Sequence, residues 1–197
     1  MPGLFVTIEG IDRSGKSTQA RRLAEALGDE ALLVREPGGT PAGERIRDLL
    51  KDPSIELDPR AEALLFAAAR AELVASVILP ALQAGKVVVS DRYLDSSLAY
   101  QGHARGLGEA EIARMNAWAL EPDLTVLLRI DPEAAAARAG EADRFEDEGL
   151  ALQRSVAEGY EKLVAANPAR WKVVDAARSE DEVAADILQM VEAGVAA

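Results

Sequence analysis

The stretch LFVTIEGIDRSGKST occupies residues 4–18 and joins an apolar run to a glycine-rich turn. The run Leu4–Ile8 predicts a buried strand, and residues 10–17 satisfy the phosphate-loop pattern G-x-x-x-x-G-K-S/T before a helical segment. In such a loop backbone N–H groups point inward, the next helix adds its positive end, and Lys16 supplies a charge to the β and γ phosphates. Ser17 is expected to hold Mg²⁺ through its hydroxyl group. A chance glycine-rich turn is the alternative, and the strand-to-helix context argues against it.

Short apolar runs alternate with helix-length segments along the rest of the chain. Strands that are apolar throughout and separated by crossover helices form parallel sheets covered on both faces. The sequence therefore predicts an α/β fold in a single domain over residues 1–197, with a five-stranded parallel sheet flanked by helices. Ligands of such sheets bind at the carboxyl ends of the strands. The further predicted strands are Ala31–Val34, Val87–Ser90, Leu124–Ile130 and Trp171–Val174.

Composition excludes several classes of function. Lys and Arg total 22 against 34 Asp and Glu, so the net charge of −12 repels a nucleic-acid backbone. An anionic mononucleotide is still permitted, because a few arginines in a cleft set the potential within about 8 Å. Cysteine is absent, which excludes disulfides and cysteine-ligated metals and fits a reducing compartment. We find no export signal and no apolar stretch near roughly 20 residues, so we expect a cytoplasmic protein without a membrane partner.

Two pairs of acidic and basic residues lie where the phosphates are expected. Asp12 and Arg13 sit inside the loop, and Arg13 could reach the oxygens of a transferring phosphoryl group. A solvated loop arginine is the alternative. Asp91 and Arg92 follow the third predicted strand, where Asp91 fits a Mg²⁺ ligand that acts through water and Arg92 fits a clamp on two phosphates. A surface pair that caps the next helix is the competing interpretation.

Phe66 and Arg70 are four residues apart on a long helical segment, so they share one face. A flat ring beside a guanidinium could seat a base, with the ring stacking and the arginine donating to a carbonyl group. A phenylalanine on a helix rich in alanine and leucine is more often part of the core. On these residues alone both interpretations stay open.

Six motifs follow one another along the chain. Together they resemble thymidylate kinase, a P-loop nucleoside monophosphate kinase, over nearly the whole sequence. The resemblance implies the three-layer P-loop NTPase fold, transfer of the γ-phosphoryl group of ATP to dTMP in dTTP synthesis, Mg²⁺ as cofactor and a homodimer. The motifs are IEGIDRSGKST at 8–18, REPGGT at 35–40, LLFAAAR at 64–70, SDRYLDSSLAYQG at 90–102, DRFE at 143–146 and VVDAARSEDEV at 173–183.

The resemblance also assigns residues to sites. It makes Arg13, Lys16 and Arg92 catalytic, and it gives the metal to Ser17 and Asp91. Within the acceptor site Phe66 stacks on thymine, Arg70 bonds O4, and Tyr100 lies beneath the deoxyribose. Arg45 and Arg92 hold the acceptor phosphate. The implied ATP site comprises Gly10, Ile11, Asp12, Arg13, Ser14, Gly15, Lys16, Ser17, Thr18, Arg138, Arg144 and Ala177. The implied dTMP site comprises Asp12, Glu36, Arg45, Phe66, Arg70, Arg92, Ser96, Ser97, Tyr100 and Gln101.

A short lid is expected over about residues 138–148. Between Arg138 and Arg144 it carries no basic residue, which resembles the family variant whose phosphate loop, here through Arg13, supplies the catalytic charge. The alternative is that Arg138 and Arg144, at the edges of the lid, also close over ATP and share this role. Two alternatives remain. One is a kinase for another nucleoside monophosphate or a deoxynucleoside, which shares the sheet and loop. The other is a nucleotide-hydrolysing switch protein, and the missing guanine-reading motif Asn-Lys-x-Asp argues against it.

Overall fold

The sheet is the frame on which the site is built. The computed structural model describes residues 3–138 and 149–195. All strands run parallel in one five-stranded sheet of order β2-β3-β1-β4-β5, which confirms the predicted fold class. Each predicted strand ends within one residue of the observed one. The strands are β1 Leu4–Glu9, β2 Ala31–Arg35, β3 Val87–Asp91, β4 Leu124–Arg129 and β5 Trp171–Asp175.

Helices connect the strands. Thr40 and Asp58 cap the starts of α2 and α3 by accepting backbone N–H bonds of 2.9 Å, and each helix has a proline in its first turn. A 3₁₀ turn spans Gly28–Glu30, and π-helical stretches at Val74–Ile78 and Leu98–Ala104 continue α3 and α5. The helices are α1 Lys16–Leu27, α2 Pro41–Lys51, α3 Pro59–Leu73, α4 Leu79–Gln83, α5 Leu94–Ser97, α6 Glu109–Met115, α7 Pro132–Ala136, α8 Gly149–Ala166 and α9 Glu180–Val195.

Alternating strand residues bury both faces of the sheet. Val6 and Val89 belong to one apolar cluster, whereas their neighbours Phe5 and Val88 belong to another. Because successive side chains of a strand point to opposite faces, the two clusters lie on opposite sides of the sheet. This produces the three layers that uniformly apolar strands predict.

The order of the strands determines where a ligand can bind. The chain leaves β1 and reaches β2 and β3 on one side, and it then crosses back to β4 and β5 on the other. A crevice opens at the carboxyl ends of the strands where the order reverses in this way. Here Ile8 of β1 stands beside Asp91 of β3, and the N–H group of Arg92 donates to the carbonyl oxygen of Ile8 at 3.1 Å. The motif residues after β1 and β3 therefore meet at one edge.

One expectation about apolar segments was wrong. The helical stretch Pro59–Gln83 has 25 residues and a mean hydropathy of 1.7 in its most apolar window, so it is long and apolar enough to cross a membrane by length and composition. Core helices of soluble proteins satisfy the same criterion. This stretch buries Arg70 against Glu36 and Glu62 against Arg105, and ion pairs with other elements are typical of a helix packed within a protein.

Candidate active site

The loop between β1 and α1 leaves no room for a side chain at its first glycine. Gly10 has a φ of 148°, and a Cβ atom there would lie 2.8 Å from the carbonyl oxygen of Leu128 and from Oγ of Ser14. Helix α1 begins at Lys16, directly after the loop. Its unpaired N–H groups therefore face the space that the loop encloses, which favours a bound phosphate.

Lys16 lies across this loop. Its Nζ donates to the carbonyl oxygen of Ile11 at 2.6 Å and to Oγ of Ser14 at 3.4 Å. Burial and the neighbouring charge of Arg92 lower the pKa of Lys16 to about 8. A buried cation beside the loop's N–H groups is suited to bind anionic oxygens.

Arg13 and Arg138 tie the loop to the end of α7. Arg13 has a φ of 60°, and its Nη1 donates to the carbonyl oxygens of Ala136 at 3.2 Å and Arg138 at 3.3 Å. Arg138 in turn donates to the carbonyl oxygens of Arg13 and Ser14, and its Nη2 donates to that of Ala176 at 2.6 Å. Both guanidinium groups are therefore beside the loop, whereas Arg144 and most of the predicted lid lie outside the described residues.

A cavity of about 560 Å³ opens beside these two arginines. It connects the phosphate loop to the turn after β5, as a bound nucleotide requires. Ala176 lines it, but Ala177, the residue predicted for adenine, is exposed and donates its N–H to Asp175 Oδ1 at 2.9 Å. Predicted ATP-site residues that line this small cavity are Arg13, Ser14, Gly15, Lys16, Ser17, Thr18 and Arg138.

The two predicted metal ligands meet across the sheet edge. Oγ of Ser17 donates to Oδ2 of Asp91 at 2.5 Å. Within residues 3–138 and 149–195, no group of three or more His, Cys, Asp or Glu could by itself hold a metal ion. A hydroxyl and one carboxylate suit Mg²⁺, which takes hard oxygen ligands and usually keeps several waters and substrate phosphates in its shell.

Arg92 lies at the junction of the loop and a larger cavity. It has a φ of 67°, and its guanidinium pairs with Asp12, donates to the carbonyl oxygen of Gly10 at 3.1 Å, and lies 5.1 Å from the centre of the Tyr100 ring. It also donates to Oγ of Ser96 at 3.1 Å. Burial alone would raise the pKa of Asp12, but the positive charges of Arg92 and Lys16 outweigh it and hold the pKa below its usual value.

The larger cavity has a volume of about 840 Å³ and is lined by Arg92. It shares Arg13, Lys16, Ser17 and Thr18 with the small cavity. The structure brings together nearly all the residues that the resemblance assigns to the acceptor. Those that line this large cavity are Asp12, Glu36, Phe66, Arg70, Arg92, Ser96, Ser97, Tyr100 and Gln101.

Arg45 is the exception. It is exposed and lies outside both cavities, so the structure does not place it where an acceptor phosphate could bind. Arg47 lines the large cavity instead, and its Nη1 donates to the carbonyl oxygen of Pro37 at 2.9 Å. Positions 45 and 47 differ by 200° around a helix of 3.6 residues per turn, which is why they face opposite ways.

The side chain of Arg70 is buried and is held by several hydrogen bonds. Its side chain is 1% exposed and pairs with Glu36 at 2.7 Å. It also donates to Oδ1 of Asn116 at 2.7 Å and to Oγ of Ser97 at 2.9 Å. Burial raises the pKa of Glu36 to about 7 despite this arginine, and Oε1 of Glu36 has no hydrogen-bond partner among the described residues. Arg70 is thus fixed at the cavity wall before any base binds.

Two residues beside the site were missed from the sequence. Glu9 is fully buried and accepts bonds from the N–H group of Tyr93 at 2.8 Å and from the hydroxyls of Ser96 and Tyr160. Burial and the nearby Asp95 raise its pKa to about 7. The signal was an acidic residue at the end of an apolar strand, which must find partners when buried.

Gln153 of α8 is the other missed residue. Its Nε2 donates to Oδ2 of Asp12 at 2.7 Å, and its Oε1 accepts from the N–H group of Asp12 at 3.0 Å. The two residues are 141 positions apart, and no motif surrounds Gln153 in the sequence. Nothing in the local pattern could have identified it.

Comparison with known proteins shows which family has this sequence and fold. A sequence model of the thymidylate kinase family matches residues 8–187. The chain belongs to the thymidylate kinase family. It is 45% identical over 204 residues to the thymidylate kinase of Lactobacillus delbrueckii subsp. bulgaricus, a match that covers 97% of this chain and 96% of that relative. It is 46% identical over 194 residues to that of Deinococcus radiodurans, with 94% of each chain covered.

A solved structure supports the same family. The crystal structure of thymidylate kinase from Ehrlichia chaffeensis matches with a TM-score of 0.81 at 31% identity, covering 98% of this chain and 99% of that one. Family membership confirms the predicted P-loop fold and the predicted enzyme class, a nucleoside monophosphate kinase with ATP as phosphoryl donor.

Proposed function

We propose that the chain transfers the γ-phosphoryl group of ATP to dTMP, giving ADP and dTDP. The observation that carries this proposal is the position of Arg92. Its guanidinium contacts the carbonyl oxygen of Gly10 in the phosphate loop and also Asp12, Ser96 and Tyr100 at the large cavity. One planar, permanently charged group would thus lie between a donor and an acceptor phosphate and could bind oxygens of both.

The donor side rests on the loop and the small cavity. ATP phosphates would lie among the N–H groups before α1, with Lys16 on the β and γ oxygens. Ser17 and Asp91 would hold Mg²⁺, which when bound neutralises charge on the donor phosphates. Arg13, whose guanidinium lies beside Arg138, would supply further positive charge to the transferring group.

The acceptor side rests on the large cavity. Phe66 would stack on the thymine ring and Arg70 would donate to O4, since its Nη1 makes one protein bond and carries two N–H groups. Tyr100 would support the deoxyribose, and Asp12 would approach its 3′-hydroxyl group. We assign the acceptor phosphate to Arg92 and Arg47. No general base is needed, because the attacking phosphate is already ionised near neutral pH and positioning with charge neutralisation can carry the transfer.

A homodimer remains a proposal as well. Large apolar side chains are exposed on α3, on α4 and in the turn after α6: Leu64 is 51% exposed, Leu79 39% and Trp118 46%. Exposed apolar side chains are suited to a contact between copies. Light scattering after gel filtration measures the mass directly. The single-domain organisation and the cytoplasmic location stay predictions of the sequence.

The acceptor is tested by a coupled assay of ADP release. ATP and Mg²⁺ are supplied with dTMP, dUMP, dCMP, dAMP or dGMP in turn, and a reaction without acceptor serves as control. We expect turnover with dTMP to be much faster than with the other four monophosphates. Turnover with a different monophosphate alone would leave the phosphate chemistry standing and refute the roles given to Phe66, Arg70 and Tyr100.

A further inference from the structure

A buried carboxylate lies behind the base end of the large cavity. Glu62, in the first turn of α3, is 1% exposed and does not line that cavity. Its Oε1 accepts bonds from Nε of Arg105 at 2.8 Å and from Nε2 of Gln101 at 2.9 Å, and its Oε2 accepts from Nη2 of Arg105 at 3.1 Å. Glu62 therefore joins α3 to the π-helical stretch that carries Gln101 and to the arginine just after it.

The carboxylate fixes which way the amide of Gln101 faces. A carboxylate paired with a guanidinium accepts hydrogen bonds, and Glu62 accepts from Arg105 at both of its oxygens. The NH₂ group of Gln101 must then point at Glu62, which leaves its carbonyl oxygen Oε1 as the end available to a ligand. Gln101 is 2% exposed and lines the large cavity, and its Nε2 is the atom that donates to Glu62.

This orientation presents an acceptor to the base. Thymine carries an N3–H donor next to its O4 acceptor, whereas cytosine carries an N3 acceptor next to an amino donor at C4. The pair formed by Gln101 Oε1 and the N–H groups of Arg70 matches thymine at both atoms and opposes cytosine at both. A Gln101 amide rotated by 180° would turn one of these two mismatches into a match.

We propose that Glu62 is the positioning residue for pyrimidine choice: by holding the Gln101 amide in one orientation, it makes the large cavity accept thymine and reject cytosine. This inference rests on the proposed function, which places the base beside Gln101 and Arg70. Neither Glu62 nor Arg105 lines the large cavity, so Glu62 acts on the base through Gln101.

The test compares Glu62→Gln with Arg105→Gln. In Glu62→Gln the new amide can donate as well as accept, so Gln101 is free to rotate. In Arg105→Gln the carboxylate and its bond to Gln101 remain. Dissociation constants of dTMP, dUMP and dCMP are measured by calorimetry, with kcat and KM for the same nucleotides. We expect Glu62→Gln to lower the preference for dTMP over dCMP about tenfold, the range of a single misread base edge. Arg105→Gln should keep that preference within about threefold of the wild type.

Two controls separate specificity from general damage. The nucleotide dUMP presents the same hydrogen-bonding edge as dTMP, so the preference for dTMP over dUMP should not change in Glu62→Gln. If that variant fails to fold because the carboxylate beside Arg105 is lost, the double variant Glu62→Gln/Arg105→Gln removes both charges and should show the same loss of preference.

An unchanged ratio of dTMP to dCMP affinity in folded Glu62→Gln or in the double variant would overturn the proposal and leave Glu62 a structural residue. An equal loss of preference in Arg105→Gln would also overturn it. Failure of the proposed function is a separate result, because it appears in the wild type as a lack of preference for dTMP before any substitution is made.

Discussion

Two arginines on α2 give the sharpest prediction about the acceptor phosphate. Arg47 lines the large cavity, whereas Arg45 is exposed outside it. Replacing Arg47 with alanine removes one charge-assisted hydrogen bond to the phosphate. Such bonds contribute about 1.5–3 kcal/mol, so kcat/KM for dTMP should fall roughly ten- to a hundredfold. Arg45→Ala removes equal charge from the same helix and should change it less than about twofold.

The assay is ADP release at varied dTMP and saturating ATP. Most of the loss in Arg47→Ala should appear in KM for dTMP, and KM for ATP should be unaffected because Arg47 does not line the small cavity. Unfolding by urea checks that both variants are folded, since Arg47 also loses its bond to the carbonyl oxygen of Pro37. A larger loss in Arg45→Ala than in Arg47→Ala would refute the placement of the phosphate.

Three further predictions concern charge at the site. Arg92→Ala should lower kcat by about 10³ or more while far-UV circular dichroism stays unchanged, and near-normal turnover would rule out the clamp. Because burial and Arg92 lower the pKa of Lys16 to about 8, kcat/KM for ATP should fall as pH rises through that value and the ammonium loses its charge. A flat profile from about pH 7 to 9 would contradict this role. The raised pKa of Glu36, about 7 against 4.5, means that the folded state binds more protons between these values, so its contribution to the free energy of unfolding decreases as pH rises from 4.5 to 7. Glu36→Gln should therefore flatten that decrease in urea unfolding, and an unchanged slope would show that Glu36 does not titrate there.

The fold and the phosphate loop could be predicted because their signals are local. Five uniformly apolar runs between helical segments define a parallel sheet, and the glycine pattern after β1 defines the loop. Parallel strands bring their carboxyl ends to one edge, so Ser17 and Asp91 could be expected to meet, and they are 2.5 Å apart. The apolar stretch Pro59–Gln83 was misjudged, because its charged residues interrupt the apolar run in the sequence although the mean hydropathy of the segment is high. Arg70 and Glu62 are buried only because they pair with residues of other elements.

The rest of the site depends on contacts between distant segments. Arg45 and Arg47 lie on opposite faces of α2. Which of the two faces borders the large cavity depends on how the helix packs, and the sequence around these residues does not determine that. Gln153 reaches Asp12 only because α8 packs beside the loop. The burial of Arg70 and Glu36 against each other likewise follows from packing, since either residue alone would be expected at the surface.

The proposed reaction moves the γ-phosphoryl group of ATP to a second nucleotide rather than to water. The most direct measurement follows ATP labelled in its γ-phosphate, with Mg²⁺ and dTMP, and separates the labelled products by chromatography. We expect label in dTDP in equal amount to the ADP formed, and little label in inorganic phosphate. Label that appears mainly in inorganic phosphate, at the same rate with and without dTMP, would contradict it and favour a nucleotide-hydrolysing protein.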